Sequence, residues 1–337
     1  MLLPIRNFAV LLFAAALAAC GTESKPEPAA QVPEAPAAAS KPDTIRLDYA
    51  TYSPLSLLLK DKGFLEEDLK RDGIAVEWVK SIGSNKALEF LSSSSVDFGS
   101  TAGAAALLAR ANGNPIRSVY VYSKPEWTAL VTRADTGITK IEDLKGKKVA
   151  VARGTDPFIF LLRALDSVGL SDKEVELVQL QHPDGRAALE RGDVDAWAGL
   201  DPHMATSELE KGSKLFFRNP DWNTWGVLNV REGFAAEHPE YVDRVLKAYE
   251  RAREHAKQNP AELRASLIKE AKLTDEVADR VLSRTDLSPS TIGEAQKQAI
   301  LAAGDVLKKS AIVKPETNVE EVATALIDPT FAAKLGR

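Results

Sequence analysis

The stretch Lys147–Leu200, KKVAVARGTDPFIFLLRALDSVGLSDKEVELVQLQHPDGRAALERGDVDAWAGL, decides the fold. Residues 147–152 read as a strand, Gly154 as a turn, and 157–168 as a helix. Residues 175–180 form a second strand, 184–191 a second helix, and 196–199 a third strand. Short apolar runs of this length, separated by helix-period segments and turn residues, predict a parallel-sheet α/β unit.

Upstream the same grammar repeats. Residues 44–50 alternate Ile45, Leu47 and Tyr49 with polar neighbours, as a half-buried strand does, and Ser53-Pro54 opens a Leu-rich helix. Strands follow at 74–79, 96–99 and 116–122, with helices at 85–91 and 102–111. Ala129–Thr132 is read as continuing this first sheet before the chain leaves it. Downstream, Val227–Val230 reads as a strand, and helix starts recur at Pro239, Pro260, Thr274, Thr291 and Asn318. The economical expectation is two α/β lobes joined by two hinge strands, with the C-terminal helices packed on lobe 1. Lobe 1 comprises 44–131 and 227–337, and lobe 2 comprises 132–226. Ligands of open α/β sheets sit beyond the carboxyl ends of the strands, so the site is expected in the cleft between the lobes.

At the other end of the chain, Arg6, an apolar run over 8–17 and small residues before Cys20 form a secretory signal over 1–19. Cys20 is the only cysteine, so no internal disulfide can use it. Residues 20–43 are Ala, Pro, Glu, Ser and Lys with hardly a large apolar side chain, a composition expected to form a flexible tether. A formal net charge of -5 and the lack of a basic run argue against a nucleic-acid partner. The four histidines are scattered without ligand-like spacing, and no metal or cofactor is implied.

Val96-Asp97-Phe98-Gly99 running into Thr101-Ala102-Gly103, then Ile141-Glu142-Asp143-Leu144-Lys145-Gly146-Lys147-Lys148-Val149-Ala150, Gly154-Thr155, Gly192-Asp193-Val194-Asp195-Ala196-Trp197 and Asp201-Pro202 together resemble the substrate-binding proteins of ABC importers. The subgroup resembled is the aliphatic-sulfonate, taurine and nitrate family, over Thr44 to about Asn259. The resemblance implies a periplasmic-binding-protein fold of the second type that closes on a small molecule and delivers it to a membrane permease. The segment ending at Cys20 resembles a bacterial lipoprotein box, which implies lipid attachment at Cys20 and a membrane-anchored periplasmic or cell-surface protein. A monomer is expected.

Candidate ligand-binding residues come from the strand-to-helix switches and from aromatics near the crossovers. Ser53, Thr101, Ala102, Gly154, Thr155, Asp156 and Asp201 stand where helix N-termini leave N–H groups free for an anion. Tyr52, Trp127 and Trp225 are placed to line the cleft, with Trp222 beside the last; Trp78 belongs to the core, and Trp197 is divided between core and site. Two features pull against an anion. Asp156 is expected to cap its own helix and compete for its N–H groups, and Asp156 and Asp201 would both repel a bound anion unless Arg153 or Arg133 offsets them. Carboxylates among aromatics suit an amine-bearing or heterocyclic nitrogen compound equally well. A sensory lipoprotein would bind in the same way. An enzyme of the pyrimidine-synthase-like branch of the fold would need cysteine and histidine chemistry that is lacking once Cys20 is lipidated, and no Gly-x-Ser-x-Gly elbow is present.

Overall fold

The computed structural model describes residues 41–335; Cys20, the signal segment and the tether up to residue 40 lie outside the described residues. The described strands are β1 (Thr44–Tyr49), β2 (Ala75–Lys80), β3 (Phe98–Ala102), β4 (Ile116–Pro125), β5 (Thr128–Thr132), β6 (Lys148–Val151), β7 (Glu176–Gln179), β8 (Ala196–Leu200), β9 (Lys214–Phe217), β10 (Gly226–Arg231) and β11 (Thr285–Asp286). They form a six-stranded sheet in the order β11-β4-β10-β3-β1-β2 and a five-stranded sheet in the order β7-β6-β8-β5-β9.

Both sheets are mixed, each adding antiparallel strands to the parallel unit read from the sequence. β1 runs parallel to β2 and β3, and β6 runs parallel to β7 and β8. The strands that follow a crossing are antiparallel: β5 to β8 and β9, and β10 to β3 and β4. A strand that enters a sheet directly from the other one arrives from the opposite end, so its direction is reversed.

The same crossing corrects the expected boundary. Thr128–Thr132 belongs to the second sheet, because its residues pair Thr128 with Leu200 through Thr132 with Ala196. The outgoing crossing is therefore made at Glu126-Trp127, and the return passes through residues 218–225 into β10.

The C-terminal helices depart from expectation in two places. Helices Pro239–Gln258 and Pro260–Ala271 pack on helix Pro54–Lys62 beside the first sheet, as expected. Helix Glu294–Lys309, however, packs against both Gly103–Ala111 and Asp156–Ser167, and Lys309 Nζ reaches Asp166 at 2.8 Å. Helix Asp275–Ser283 packs on His203–Lys211, and Val277, Ala278 and Val281 share an apolar cluster with Leu57, Ala205 and Leu267. Both helices thus span elements of the two sheets. Thr274 and Asn318 cap helices through their side chains as their residue type predicts, whereas the helix expected from Thr291 starts at Glu294, where the Gln296 side chain accepts from the Gly293 N–H. No helix among the described residues is long and apolar enough to cross a membrane.

Candidate functional site

A partly open cavity of about 400 Å³ lies at the carboxyl ends of β1, β2 and β8. Tyr52, Lys80, Ser81 and Ile82 line it from the first sheet. Arg186, Leu200, Asp201, Pro202, His203 and Thr206 line it from the second, and the turn Ala271-Lys272-Leu273 closes one side. The volume suits a small organic solute.

Behind Tyr52 and Ser81 stands Asp48 on β1, fully buried. Its Oδ2 accepts from Ser81 Oγ at 2.6 Å, and its Oδ1 accepts from both the backbone N–H and the Oγ of Ser100 at 2.7 Å. Burial pushes the Asp48 carboxyl up to about 6, against the pull of those three hydrogen bonds. Tyr52 Oη lies 3.0 Å from Ser81 Oγ and donates to the Ser100 carbonyl at 3.0 Å, while its ring meets Trp127 edge-on with centroids 6.0 Å apart.

The second wall carries the charges. Asp201 Oδ1 accepts from the Ala205 N–H at 2.9 Å, in the first turn of helix His203–Lys211, whose first residue is His203 and not Pro202 as the sequence suggests. Asp201 Oδ2 faces Arg284 Nη1 at 3.5 Å, and neither atom has a hydrogen-bond partner in the protein. Burial raises the Asp201 carboxyl to about 6, with Arg284 acting in the opposite sense. Arg186 is paired only loosely with Glu190, at 3.5 Å, and its Nε is buried without a hydrogen bond. Lys80 is tied to Glu270 at 2.7 Å. His203 is held neutral by burial, its value lowered to about 4, with Arg186 and Lys80 adding repulsion to the charged form. The adjoining His182 is fully buried, with neither ring nitrogen hydrogen-bonded, and burial lowers it to about 3.

Of the residues singled out in the sequence, Tyr52 and Asp201 line this cavity. Trp127 packs on Tyr52 from behind and donates from Nε1 to Asp156 Oδ2 at 2.9 Å. Asp156 does not cap its own helix. It accepts from the backbone N–H and Oγ1 of Thr224, at 3.1 and 2.5 Å, and so joins helix Asp156–Ser167 to the returning crossover. Thr224 in turn accepts at Oγ1 from the Ala104 N–H at 2.9 Å and at its carbonyl from the Gly103 N–H at 3.0 Å. The helix start after Thr101 and Ala102, expected to hold an anion, is therefore engaged by protein. Thr101 Oγ1 accepts from Asn229 Nδ2 at 2.8 Å, and the Ala102 N–H donates to Ser84 Oγ at 3.0 Å.

The other positions are also elsewhere. Thr155 Oγ1 donates to the Ala152 carbonyl at 2.7 Å. Gly154, at φ +76°, borders a separate hollow with Leu108, Arg153 and Phe158. Ser53 is buried with its Oγ unpartnered. Trp225, also at positive φ, has Lys124 Nζ 5.3 Å from its ring centroid, and Trp222 packs among Phe160, Phe217 and Arg163. Arg133 donates to the Leu189 and Val194 carbonyls at 3.0 Å and is structural. Trp197 is wholly buried in a core of its own with Leu189, Val194 and Met204, and half-buried Trp78 donates to Glu66 at 2.7 Å.

Sequence reasoning missed Ser81, Arg186, His203, Thr206 and the turn 271–273. Ser81 follows β2 at a strand's carboxyl end, so the rule that selected Ser53 would also have selected it. Arg186 sits mid-helix and carries no such signal.

Two relatives are named for aliphatic sulfonate binding. One, from Bacillus subtilis (strain 168), is 28% identical over 286 residues, which is 84% of each chain. The other, from Escherichia coli (strain K12), is 31% identical over 218 residues, 64% of this chain and 68% of that protein. Among solved structures, the alkanesulfonate-binding protein SsuA from Xanthomonas axonopodis pv. citri, bound to MOPS, superposes with a TM-score of 0.78 at 24% identity, covering 86% of this chain and 99% of that one. The fold is that of the periplasmic binding proteins, and these relatives are binding proteins, not enzymes. The family model described as NMT1/THI5 like matches residues 57–263, and the chain belongs to that family.

Proposed function

We propose that this chain is the membrane-anchored solute-binding receptor of an ABC importer, closing on an aliphatic sulfonate or a related small organic anion. The observation that carries this reading is the cavity at the strand ends, lined from both sheets and containing a guanidinium, that of Arg186, with no strong internal partner. The relatives named for aliphatic sulfonate binding supply the ligand class. In this reading the two sheets with their helices are lobes that hinge at Glu126-Trp127 and at residues 218–225, and Arg186 takes the anionic end of the solute. Lipid on Cys20 and the tether over 20–43 hold the receptor near a permease on the periplasmic or cell-surface side of a membrane.

Calorimetry with short alkanesulfonates, taurine and nitrate, with mass spectrometry of any solute retained on purification, tests the ligand class. Failure of every sulfonate to bind would remove it. For the anchor, Cys20→Ala should release the protein from the membrane fraction without altering its stability, and equal retention of both forms would refute lipidation.

One observation favours a second reading, an amine-bearing solute: Asp201 Oδ2 is buried at the cavity wall with no hydrogen bond. If a cationic group rests there, Asp201→Asn should weaken binding by about 2–5 kcal/mol. If the ligand is a simple anion, the same change should leave binding unchanged or tighten it.

A further inference from the structure

The hydrogens of the cavity hydroxyls can be counted. Ser81 has one hydroxyl proton, and Asp48 Oδ2, 2.6 Å away, can only accept while ionised, so that proton points away from the cavity. Tyr52 has one proton, with the Ser100 carbonyl and Ser81 Oγ both at 3.0 Å; since Ser81's proton is committed, Tyr52 must donate inward to one or both. Across the cavity, Thr206 Oγ1 donates to the Pro202 carbonyl at 3.0 Å. Of the four lining hydroxyls, those of Tyr52, Ser81 and Thr206 therefore have no hydrogen left for the solute, while that of Thr51 is engaged by no group among the described residues; Asp201 Oδ1 is taken by the Ala205 N–H, and Oδ2, without a hydrogen bond, faces Arg284 Nη1 at 3.5 Å.

We propose that Asp48, one layer behind the cavity, is a positioning residue that fixes the hydrogen-bond polarity of the Tyr52–Ser81 wall, making that wall an acceptor-only subsite for an N–H or O–H group of the solute. A sulfonate oxygen placed there would meet lone pairs, so the wall rejects bare alkyl anions as well as attracting donors. The anionic end is left to Arg186. The inference rests on the cavity being the solute site, and it narrows the proposed ligand class to small anions that also carry a donor.

The chemistry of the Asp48→Asn variant makes the inference testable. The backbone N–H of Ser100 must donate, so the amide oxygen of the new side chain stays at Ser100 and its NH₂ turns to Ser81. Ser81 then accepts from it, and its own proton is freed toward Tyr52 or the cavity. The wall thereby gains a hydrogen that it can offer to the solute, with almost no change in shape.

The experiment compares matched pairs that differ only in a donor: 2-hydroxyethanesulfonate with ethanesulfonate, and 3-hydroxypropanoate with propanoate. Wild type should bind the hydroxylated member of a pair about tenfold more tightly, and this ratio should fall to about one in Asp48→Asn. Ser81→Ala, which removes one acceptor and leaves the Ser100 hydrogen bonds in place, should lower the ratio, with some loss of stability because Asp48 Oδ2 is left without its donor. A merely structural role for Asp48 would weaken both members equally and leave the ratio unchanged, which would overturn the inference. A wild-type ratio of one would also overturn it. Binding of the carboxylates but not the sulfonates would refute the sulfonate class while the ratio still reads the wall; binding of none of the four would overturn the inference that the solute is a small anion carrying a donor.

Discussion

Arg218 donates from Nε and Nη2 to the two carboxylate oxygens of Glu126, at 2.7 and 2.8 Å, and this fork joins the outgoing crossing between the sheets to the returning one. Around it, the Glu126 N–H donates to the Arg284 carbonyl at 2.7 Å, and the Thr128 N–H donates to Asn223 Oδ1 at 3.1 Å. The two crossings are therefore held as a pair, with the cavity beyond them. Because the Arg218 side chain is about half exposed, at 46%, Arg218→Ala should cost about 1 kcal/mol of global stability or less. Its effect should be local: faster hydrogen exchange at the amides of Glu126 and Thr128, with those of β1 and β6 unchanged. Exchange that is uniform, or unaltered, would mean that the fork does not hold the crossings.

Asp156 offers a sharper test of lock against ligand contact. It is buried and accepts three hydrogen bonds, from Trp127 and twice from Thr224. Asp156→Ala would orphan buried donors on two other elements at about 1–3 kcal/mol each, so a loss of about 3–5 kcal/mol is expected in urea unfolding. Lost affinity with unchanged stability would instead return Asp156 to the ligand site.

The alternation of strands and helices was legible because most elements announce themselves by period and cap. β5 reads as part of the first sheet although it pairs in the second, because TALVT is buried at every position and says nothing about its neighbours. Its antiparallel direction was hidden for the same reason. The helix-start rule points to Asp201 and the aromatics to Tyr52, and both line the cavity. Thr101 and Asp156 are engaged by protein instead, because a residue at a helix start reads the same whether its partner is a solute or, as here, Asn229 or Thr224. Arg186 and the turn 271–273 reach the cavity only through tertiary packing, which no local pattern encodes.

Closure can be tested with a wedge. A Cβ on Gly103 would sit 2.5 Å from the Thr224 carbonyl oxygen and 2.7 Å from Ile300 Cγ1, so helix Gly103–Ala111, the returning crossover and helix Glu294–Lys309 can meet this closely only because residue 103 has no side chain. If the two sheets hinge, a saturating solute should lower the radius of gyration of wild type by favouring the closed state. Gly103→Ala should be larger when free, bind more weakly and contract less. A wedge variant with the scattering profile and affinity of wild type would argue for a rigid body.

Buried groups shape the pH dependence of stability and its sign differs between them; Asp156, which burial also raises, acts in the same sense as Asp48 and Asp201. The Asp48 and Asp201 carboxyls are raised by burial from 3.8 to about 6, so the fold binds their protons more tightly than the unfolded chain does. Their contribution to stability falls as pH rises from about 4 to about 6 and is constant above. His182 and His203 are lowered by burial from 6.5 to about 3 and about 4, so their contribution rises with pH, from about 3 or 4 up to 6.5. The two pairs oppose each other across the same acid window, and the wild-type profile should be flatter there than either pair alone would make it. Removing one member exposes the balance. Asp48→Asn deletes a falling contribution, so the stability of wild type relative to this variant should decline by roughly 2–3 kcal/mol between pH 4 and pH 7, at about 1.4 kcal/mol for each unit of displacement. Urea unfolding of both proteins at intervals across that range measures the difference. A difference that stays constant, or grows with pH, would show that the hydrogen bonds from Ser81 and Ser100 outweigh burial and hold Asp48 ionised throughout.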